Sequence, residues 1–267
     1  MNPSRQIWIS GGALALGAVA IWVRDWRWAE TVADTLPLAL GLPLAYFVGR
    51  PWQCREGETA ERRPRLIGLG GAGFTCGWII GSLTLLSMSW SLLALLWGRQ
   101  NFVRVAGRER LVWLLLLSFP WLVIEWQTLG WSLRLSSAWV AEQIFALLQL
   151  PAQRDGTHLS VLGVPVEIEA ACAGWNLLQL TLLTGVAYGA YEIRSSRRFT
   201  MLLALLPVLA WLANLLRILI LAGIALSFDA QVASGVLHGL TGLIVLAAVL
   251  GMTKTLCHFL SAPPASI

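Results

Sequence analysis

Residues 66–98 read LIGLGGAGFTCGWIIGSLTLLSMSWSLLALLWG, and this apolar stretch decides the topology of the whole chain. A membrane-spanning helix needs roughly 20 apolar residues, so the stretch is too long for one ordinary span and short for two. The only turn signal inside it is Gly81-Ser82. Whether the stretch crosses the membrane once or twice sets the direction of every helix that follows.

The arginines on either side of this stretch settle the question. Both flanking loops are rich in arginine: Arg50, Arg55, Arg62, Arg63 and Arg65 precede it, and Arg99, Arg104, Arg108 and Arg110 follow it. Cytoplasmic loops of membrane proteins carry an excess of Lys and Arg, so both loops are expected on the cytoplasmic side. The stretch therefore has to cross the membrane twice, with its turn at the outer face.

The composition agrees with a polytopic membrane protein. Hydrophobic residues make up 57% of the 267 residues and charged residues 12%, whereas soluble domains carry about 25% charged residues. We predict a single integral membrane domain over residues 1–267, all-α, with both termini inside and a first span in place of a cleavable signal peptide. The eight predicted spans are 7–23, 31–48, 66–81, 83–98, 111–131, 173–191, 199–221 and 238–256.

The longest stretch predicted outside the membrane is 132–171. Within it, 133–150 is apolar but carries polar side chains, which favours an interfacial or half-inserted helix over a ninth span. The alternation in residues 156–166 predicts a short β-hairpin that turns at Leu162-Gly163, and Pro165 indicates an edge strand. Loops of this kind on a rigid scaffold often carry function.

Cys172 is the first candidate functional residue. It lies at the outer end of the sixth span, whereas Cys54 and Cys257 fall on the cytoplasmic side and Cys76 within a span, so no disulfide partner shares its side. A single membrane cysteine is more often packing material, but a helix N-terminus favours the reactive thiolate. Asn176 and Gln179 follow four and seven residues later on the same helical face, which is expected to face the bundle interior.

Arg217 and His238 are the second and third candidates. Arg217 lies within the seventh span with Asn214 three residues earlier, and His238 opens the eighth span. Alternation of the spans brings both to the outer face with Cys172. Taken singly, the arginine could snorkel to the headgroups and the histidine could be interfacial. Together, a thiol, a base and a cation form the minimal set for acyl transfer.

Three motifs resemble the exosortase/archaeosortase family of multi-span membrane cysteine transpeptidases. They are EAACAGWNLL (169–178), NLLRI (214–218) and HGLTG (238–242), and the resemblance covers roughly residues 83–256, whereas the spans in 1–82 are generic. It implies that Cys172 is the nucleophile, His238 the general base and acid, and Arg217 the stabilising cation. Family members usually have Ser-Gly after the cysteine, and this chain has Ala173-Gly174.

The resemblance also implies a substrate class and a location. Family substrates are exported proteins with a C-terminal sorting signal, made of a short motif, a transmembrane helix and a basic tail. The substrate is cleaved at the outer face of the inner membrane, forms a thioester with the cysteine and is then transferred to an unidentified acceptor. The alternatives are a purely hydrolytic membrane cysteine protease and a non-enzymatic transporter or scaffold.

The remaining expectations concern partners and supporting residues. Glu167 and Glu169 orient Arg217, contact substrate or lie in a solvated loop. Asn176 and Asn214 are expected to support the site. Glu125, within the fifth span, either pairs with Arg217, binds substrate or serves as a structural hydrogen-bonding group. Besides its substrates, the protein is expected to contact membrane lipid. No cofactor, metal or nucleic-acid partner is expected, because no spacing of Cys and His or basic face indicates one.

Overall fold

A computed structural model describes residues 3–30, 32–55, 63–104, 109–167, 175–227 and 236–261. The chain is mostly helical and divides into two compact units, residues 1–126 with 186–191, and residues 127–185 with 192–267. The helices are α1 (Pro3–Arg24), α2 (Val32–Val48), α3 (Pro64–Ile80), α4 (Leu83–Asn101), α5 (Leu111–Leu117), α6 (Trp121–Glu125), α7 (Gln127–Leu147), α8 (Trp175–Glu192), α9 (Ser196–Ser227) and α10 (Val236–Ser261).

The decisive stretch 66–98 forms two helices, as predicted. Gly81 ends α3 in the left-handed conformation, with φ of +88°, which glycine adopts without steric cost. Ser82 then caps α4, because its Oγ accepts a hydrogen bond of 3.2 Å from the Leu85 amide. The turn signal in the sequence therefore marks a tight helical hairpin.

The two arginine-rich loops are joined by a small sheet. Strand β1 (Gln53–Cys54) pairs antiparallel with β2 (Phe102–Arg104), with Gln53 opposite Arg104. The pairing places the loop after α2 and the end of α4 at the same end of the α3–α4 hairpin. This is the arrangement that the positive-inside argument requires.

The predicted span 111–131 is wrong as a single helix. The chain forms α5 and α6, breaks between them at Ser118–Pro120, and breaks again at Trp126 before α7 begins. Proline has no amide hydrogen and its ring clashes with the preceding turn, so Pro120 favours a break here, although α2 and α9 continue through internal prolines. The Ser118 carbonyl at the break accepts a hydrogen bond of 2.9 Å from Trp22 Nε1.

The predicted outer segment is a longer helix followed by a three-stranded sheet. The helix predicted at 133–150 is α7, which already begins at Gln127. The predicted hairpin is present as β4 (His158–Val161) and β5 (Val164–Glu167), with Pro165 on the edge strand and positive φ at Leu162 and Gly163. A further strand, β3 (Ala152–Asp155), precedes β4 through a second two-residue turn that the sequence analysis did not recognise.

An apolar core holds the sheet against the helices of the second unit. Residues of α7, β4 and the C-terminal half of α9 pack together: Ala138, Ala141, Phe145, Leu159, Val161, Leu215, Ile218, Leu221 and Ala222. Arg154 of β3 adds a bond of 3.2 Å from its Nε to Oε2 of Glu142 on α7. The strands therefore lie at the C-terminal half of α9.

Three helices of the described chain are long and apolar enough to cross a membrane. These candidate spans are Ile7–Arg24, Ser196–Ser227 and Leu240–Ser261, and Thr35–Val48 is a shorter apolar helix. They agree with a membrane protein, and the count of eight spans stays a prediction. The long helix α9 rises about 1.5 Å per residue, so its 32 residues exceed the roughly 30 Å thickness of the hydrocarbon core.

Candidate active site

The structure describes β5 and α8, which precede and follow Cys172 in the chain, and α10, which contains position 238. Cys172 and Glu169 lie outside the described residues, and so do the side chains of Glu167, Asn176 and His238. The backbone at Glu167 ends β5 opposite His158, Asn176 occupies the first turn of α8, and His238 the first turn of α10. Cys172 therefore lies three residues before α8 begins.

The three helices that follow or contain the predicted catalytic positions pack together. A buried apolar cluster joins Leu177 of α8, Ala213 of α9, and Val245 and Val249 of α10. Leu177 is five residues after Cys172, Ala213 is four before Arg217, and Val245 is seven after His238. The beginning of α8 and the middle of α10 therefore lie beside the middle of α9.

Arg217 lies against α10. A Cβ atom at Gly242 would stand 3.4 Å from Nη2 of Arg217 and 3.6 Å from its Cζ, so the guanidinium rests on this glycine. Position 238 is four residues before Gly242, which is about one helical turn and the same face of α10. The arginine is half-buried. Its cation therefore contacts the face of α10 that carries position 238, about one turn away from that position.

Asn214, one turn before Arg217 on α9, faces a small cavity. Its side chain is 2% exposed, and its Oδ1 accepts no hydrogen bond within the part of the chain that the structure describes. The cavity measures about 100 Å³ and lies between α7, α8 and α9; its walls are Leu129, Leu133, Leu178, Pro207, Ala210, Trp211 and Asn214. A buried amide without a partner costs about 1–3 kcal/mol, so this oxygen is available for a ligand.

Gln179 of α8, the one described side chain of the predicted inward face, is buried. It is 1% exposed, and neither its Oε1 nor its Nε2 is hydrogen-bonded among the described residues. The neighbouring Leu177 and Leu178 are buried as well, so protein surrounds this part of α8 on more than one face. The first turn of α8 therefore leads toward the packed interior of the second unit.

The sheet directs the chain from α7 back to α9 before it reaches Cys172. Leu159 and Val161 of β4 pack on Leu215 and Ile218 of α9, and β5 also lies against α9. The segment after Glu167 therefore starts beside the helix that carries Arg217. His158, the other histidine in the predicted outer part of the chain, is exposed on β4.

Glu125 has a structural role that the sequence analysis left open among three alternatives. Its carboxylate covers the N-terminus of α4: Oε1 accepts from the Leu83 amide, and Oε2 accepts from the Thr84 amide at 2.8 Å and from the Thr84 hydroxyl. Oε2 also accepts from Ser82 Oγ at 3.4 Å. An acid at a helix N-terminus satisfies free amides and the helix dipole, so Glu125 stabilises the α3–α4 turn.

The comparison with known families identifies the chain. The sequence model described as transmembrane exosortase matches residues 26–254. The chain belongs to the transmembrane exosortase family. No curated protein and no solved structure matches it.

Membership confirms the resemblance seen in the three motifs and gives this exosortase a general role as a membrane transpeptidase or protease. The match also begins well before residue 83, in the part of the chain that looked generic. Within the described residues, no group of three or more His, Cys, Asp or Glu side chains could hold a metal ion.

Proposed function

We propose that this exosortase is a cysteine transpeptidase that cuts C-terminal sorting signals from exported proteins at the outer face of the inner membrane. Cys172 is the nucleophile, His238 the general base and acid, and Arg217 the cation that stabilises the oxyanion. The chain crosses the membrane eight times in this proposal, with both termini in the cytoplasm.

The contact between Arg217 and Gly242 carries this proposal. It brings a half-buried guanidinium to the α10 face that bears position 238, and the cluster of Leu177, Ala213 and Val245 packs the start of α8 against the same two helices. Placing a charge in an apolar helix bundle costs free energy, and membrane-embedded cations commonly mark functional sites. These contacts support the convergence of all three residues.

The reaction follows from the three side chains. His238 takes the thiol proton, and the Cys172 sulfur attacks the scissile carbonyl while Arg217 stabilises the charge on its oxygen. The C–N bond then breaks, the imidazolium gives its proton to the leaving amine, and a thioester remains. An acceptor nucleophile loses its proton to His238, attacks the thioester and releases the thiol.

In this proposal the supporting polar residues bind the substrate. The apolar cavity beside Asn214 lies one turn along α9 from Arg217, which is where a bound segment adjoining the cleaved bond is expected. The unpaired Oδ1 of Asn214 then accepts a substrate main-chain amide, which has no water to bond inside a membrane. Asn176, Glu167 and Glu169 line the approach to Cys172 and contact the sorting motif or orient Arg217.

Substitution of Cys172 tests the proposal. Cells producing Cys172→Ala should accumulate unprocessed precursors, detected by mass spectrometry of membrane proteins, and Cys54→Ala should process them normally because Cys54 is exposed on β1 in the other unit. Equal amounts of both variants in the membrane are the control. Normal processing by Cys172→Ala refutes the assignment of the nucleophile.

Two further measurements separate the alternatives. A membrane-impermeant thiol reagent applied to intact cells should label the wild type and not Cys172→Ala, whereas a transporter or scaffold has no reason to carry a reactive external thiol. The mass of the new C-terminus of the product then distinguishes transfer from hydrolysis. A free carboxylate means a hydrolytic protease, and an added group means a transpeptidase.

A further inference from the structure

The strand that leads toward Cys172 is the outermost strand of its sheet. The strands are ordered β3-β4-β5, so β5 pairs with β4 on one side only. Among the residues that the structure describes, no backbone group bonds to the other edge of β5. An unpaired strand edge is a place where another extended chain can add to a sheet.

The register of the hairpin shows how the backbone of β5 is used. The turn Leu162-Gly163 has two residues, both with positive φ, so the flanking residues Val161 and Val164 exchange two hydrogen bonds. Along an antiparallel ladder, such pairs alternate with pairs that exchange none, so the next bonded pair is Leu159 with Val166. Every second residue of β5 is therefore bonded to β4.

The alternate residues of β5 direct their backbone groups away from β4. These residues are Pro165 and Glu167, so the outer edge presents the Pro165 carbonyl, the Glu167 amide and the Glu167 carbonyl. Proline has no amide hydrogen and is tolerated in a sheet where no ladder bond needs one, which agrees with this direction. Pro165 is also exposed. A row of one donor and two acceptors matches the main chain of an extended peptide.

The sheet that carries this edge is anchored to the second unit. Leu159 and Val161 of β4 are buried in the apolar core shared with α7 and α9, and β5 itself lies against α9. Cys172 follows Glu167 by five residues, which span at most about 18 Å. A peptide bound at this edge can therefore reach the proposed nucleophile.

We propose that the exported substrate binds to the outer edge of β5 as an added strand, formed by the segment just before the cleaved bond. This inference rests on the proposed function. The carbonyls of a helix are bonded within the helix, so the chain presented to Cys172 has to be extended, and its freed backbone groups need partners beside a membrane. Because this segment runs toward Cys172, as β5 does, the pairing is parallel.

Parallel pairing specifies the hydrogen bonds. One substrate amide donates to the Pro165 carbonyl, the carbonyl of the same substrate residue accepts from the Glu167 amide, and the substrate amide two residues later donates to the Glu167 carbonyl. The substrate residue in between directs its backbone groups away from β5. A second copy of β5 fits this edge less well, because its own Pro165 brings no donor.

The test measures the binding of a labelled synthetic peptide to the full-length protein in phosphatidylcholine nanodiscs by fluorescence anisotropy. The peptide covers the residues before the cut in a precursor that accumulates in cells lacking the exosortase, and its amides are N-methylated one at a time. Methylation of either of two amides, two positions apart, should weaken binding about tenfold through loss of a hydrogen bond, and methylation of the amide between them should not. Equal sensitivity of neighbouring amides, or no sensitivity at any position, overturns the proposal.

The protein side of the pairing is tested by Glu167→Pro, which removes the outward amide, against Glu167→Ala, which keeps it. The proline variant should bind the unmodified peptide about tenfold more weakly than the alanine variant. Ala152→Pro is the matched control: it removes an outward amide from the opposite edge of the sheet, on β3, and should bind as the wild type does. Equal affinities of Glu167→Pro and Glu167→Ala contradict the pairing. If a proline variant does not fold, the methylated peptides still decide the question.

The added strand and the proposed function fail in different ways. A peptide that binds in the alternating pattern but is never cleaved by the wild type refutes the transpeptidase and keeps the strand site. Cleavage without the alternating pattern keeps the enzyme and refutes the strand site. A wild-type protein that dimerises and does not bind the unmodified peptide also overturns the strand site.

Discussion

Replacing Gly242 by valine should disable the proposed active site without unfolding the protein. The Cβ of a residue at 242 stands 3.4 Å from Nη2 of Arg217 and 3.6 Å from its Cζ, which is ordinary van der Waals contact. Alanine therefore fits, and its better helix propensity adds up to about 1 kcal/mol of stability. Valine carries two more methyl groups about 1.5 Å beyond the Cβ, and its β-branching allows few rotamers in a helix.

The expected loss follows from the displacement of the cation. A valine methyl directed at the guanidinium has to move it by about 1 Å, and a misplacement of this size in an active site costs about a hundredfold in rate. Losing an oxyanion donor altogether costs about 10²–10³-fold. We therefore expect Gly242→Ala to process substrate within about threefold of wild type and Gly242→Val to be slower by about a hundredfold.

The assay is the rate at which precursor is converted to product in cells, followed by immunoblot and corrected for the amount of exosortase in the membrane. Gly251→Val is the matched control: it lies on the same helix, has the same propensity cost, and its Cβ would have no neighbour within 4 Å. Processing by Gly242→Val at the rate of Gly251→Val refutes the role given to Arg217. Equal damage by alanine and valine refutes the steric reasoning.

Three further predictions concern stability, each measured by thermal unfolding in detergent. Glu125→Gln should lower the free energy of unfolding by about 1–3 kcal/mol, because the first amides of α4 lose a charged acceptor. An unchanged midpoint temperature of unfolding contradicts the capping role of Glu125. Gly41→Ala should destabilise, since its Cβ would stand 2.9 Å from the Ser118 Cα, whereas Gly12→Ala has no neighbour within 4 Å and should not. Hydrogen bonds from Arg27 lower the pKa of Asp25 below 3.8, so Asp25 contributes its full share to the free energy of unfolding above pH 3.8 and loses it as the pH falls toward the lowered pKa. The stability of Asp25→Asn should therefore fall less than that of the wild type over this pH window. Parallel stability curves for the two proteins contradict the pairing.

The sequence was sufficient to predict features that depend on local chemistry. Gly81-Ser82 marked the turn between α3 and α4, and Leu162-Gly163 with Pro165 marked the hairpin and its edge strand. Each depends on a backbone conformation that a few residue types favour, so no knowledge of distant neighbours was needed. The family motifs were likewise recognisable, since they preserve residue types at fixed spacing, and the family match confirms the membership that they implied.

Other features required the tertiary structure. The apolar run 111–131 satisfied every length and hydropathy criterion for one helix, yet the break at Ser118–Pro120 is accommodated by Trp22, which is distant in sequence and supplies a donor to the freed carbonyl. The role of Glu125 was undecided for the same reason, because its partners Leu83 and Thr84 are brought to it only by folding.

For the candidate site, the sequence by itself determined which residues could perform acyl transfer: a thiol, an imidazole and a guanidinium at ends of consecutive helices. Only the tertiary structure decided that Arg217 rests on Gly242 and that Asn214 faces a cavity with its oxygen unpaired among the described residues. Chemical identity is a property of each residue alone. Contact and desolvation, in contrast, depend on which helices pack together, and helical periodicity shows the face of a helix but not its neighbour.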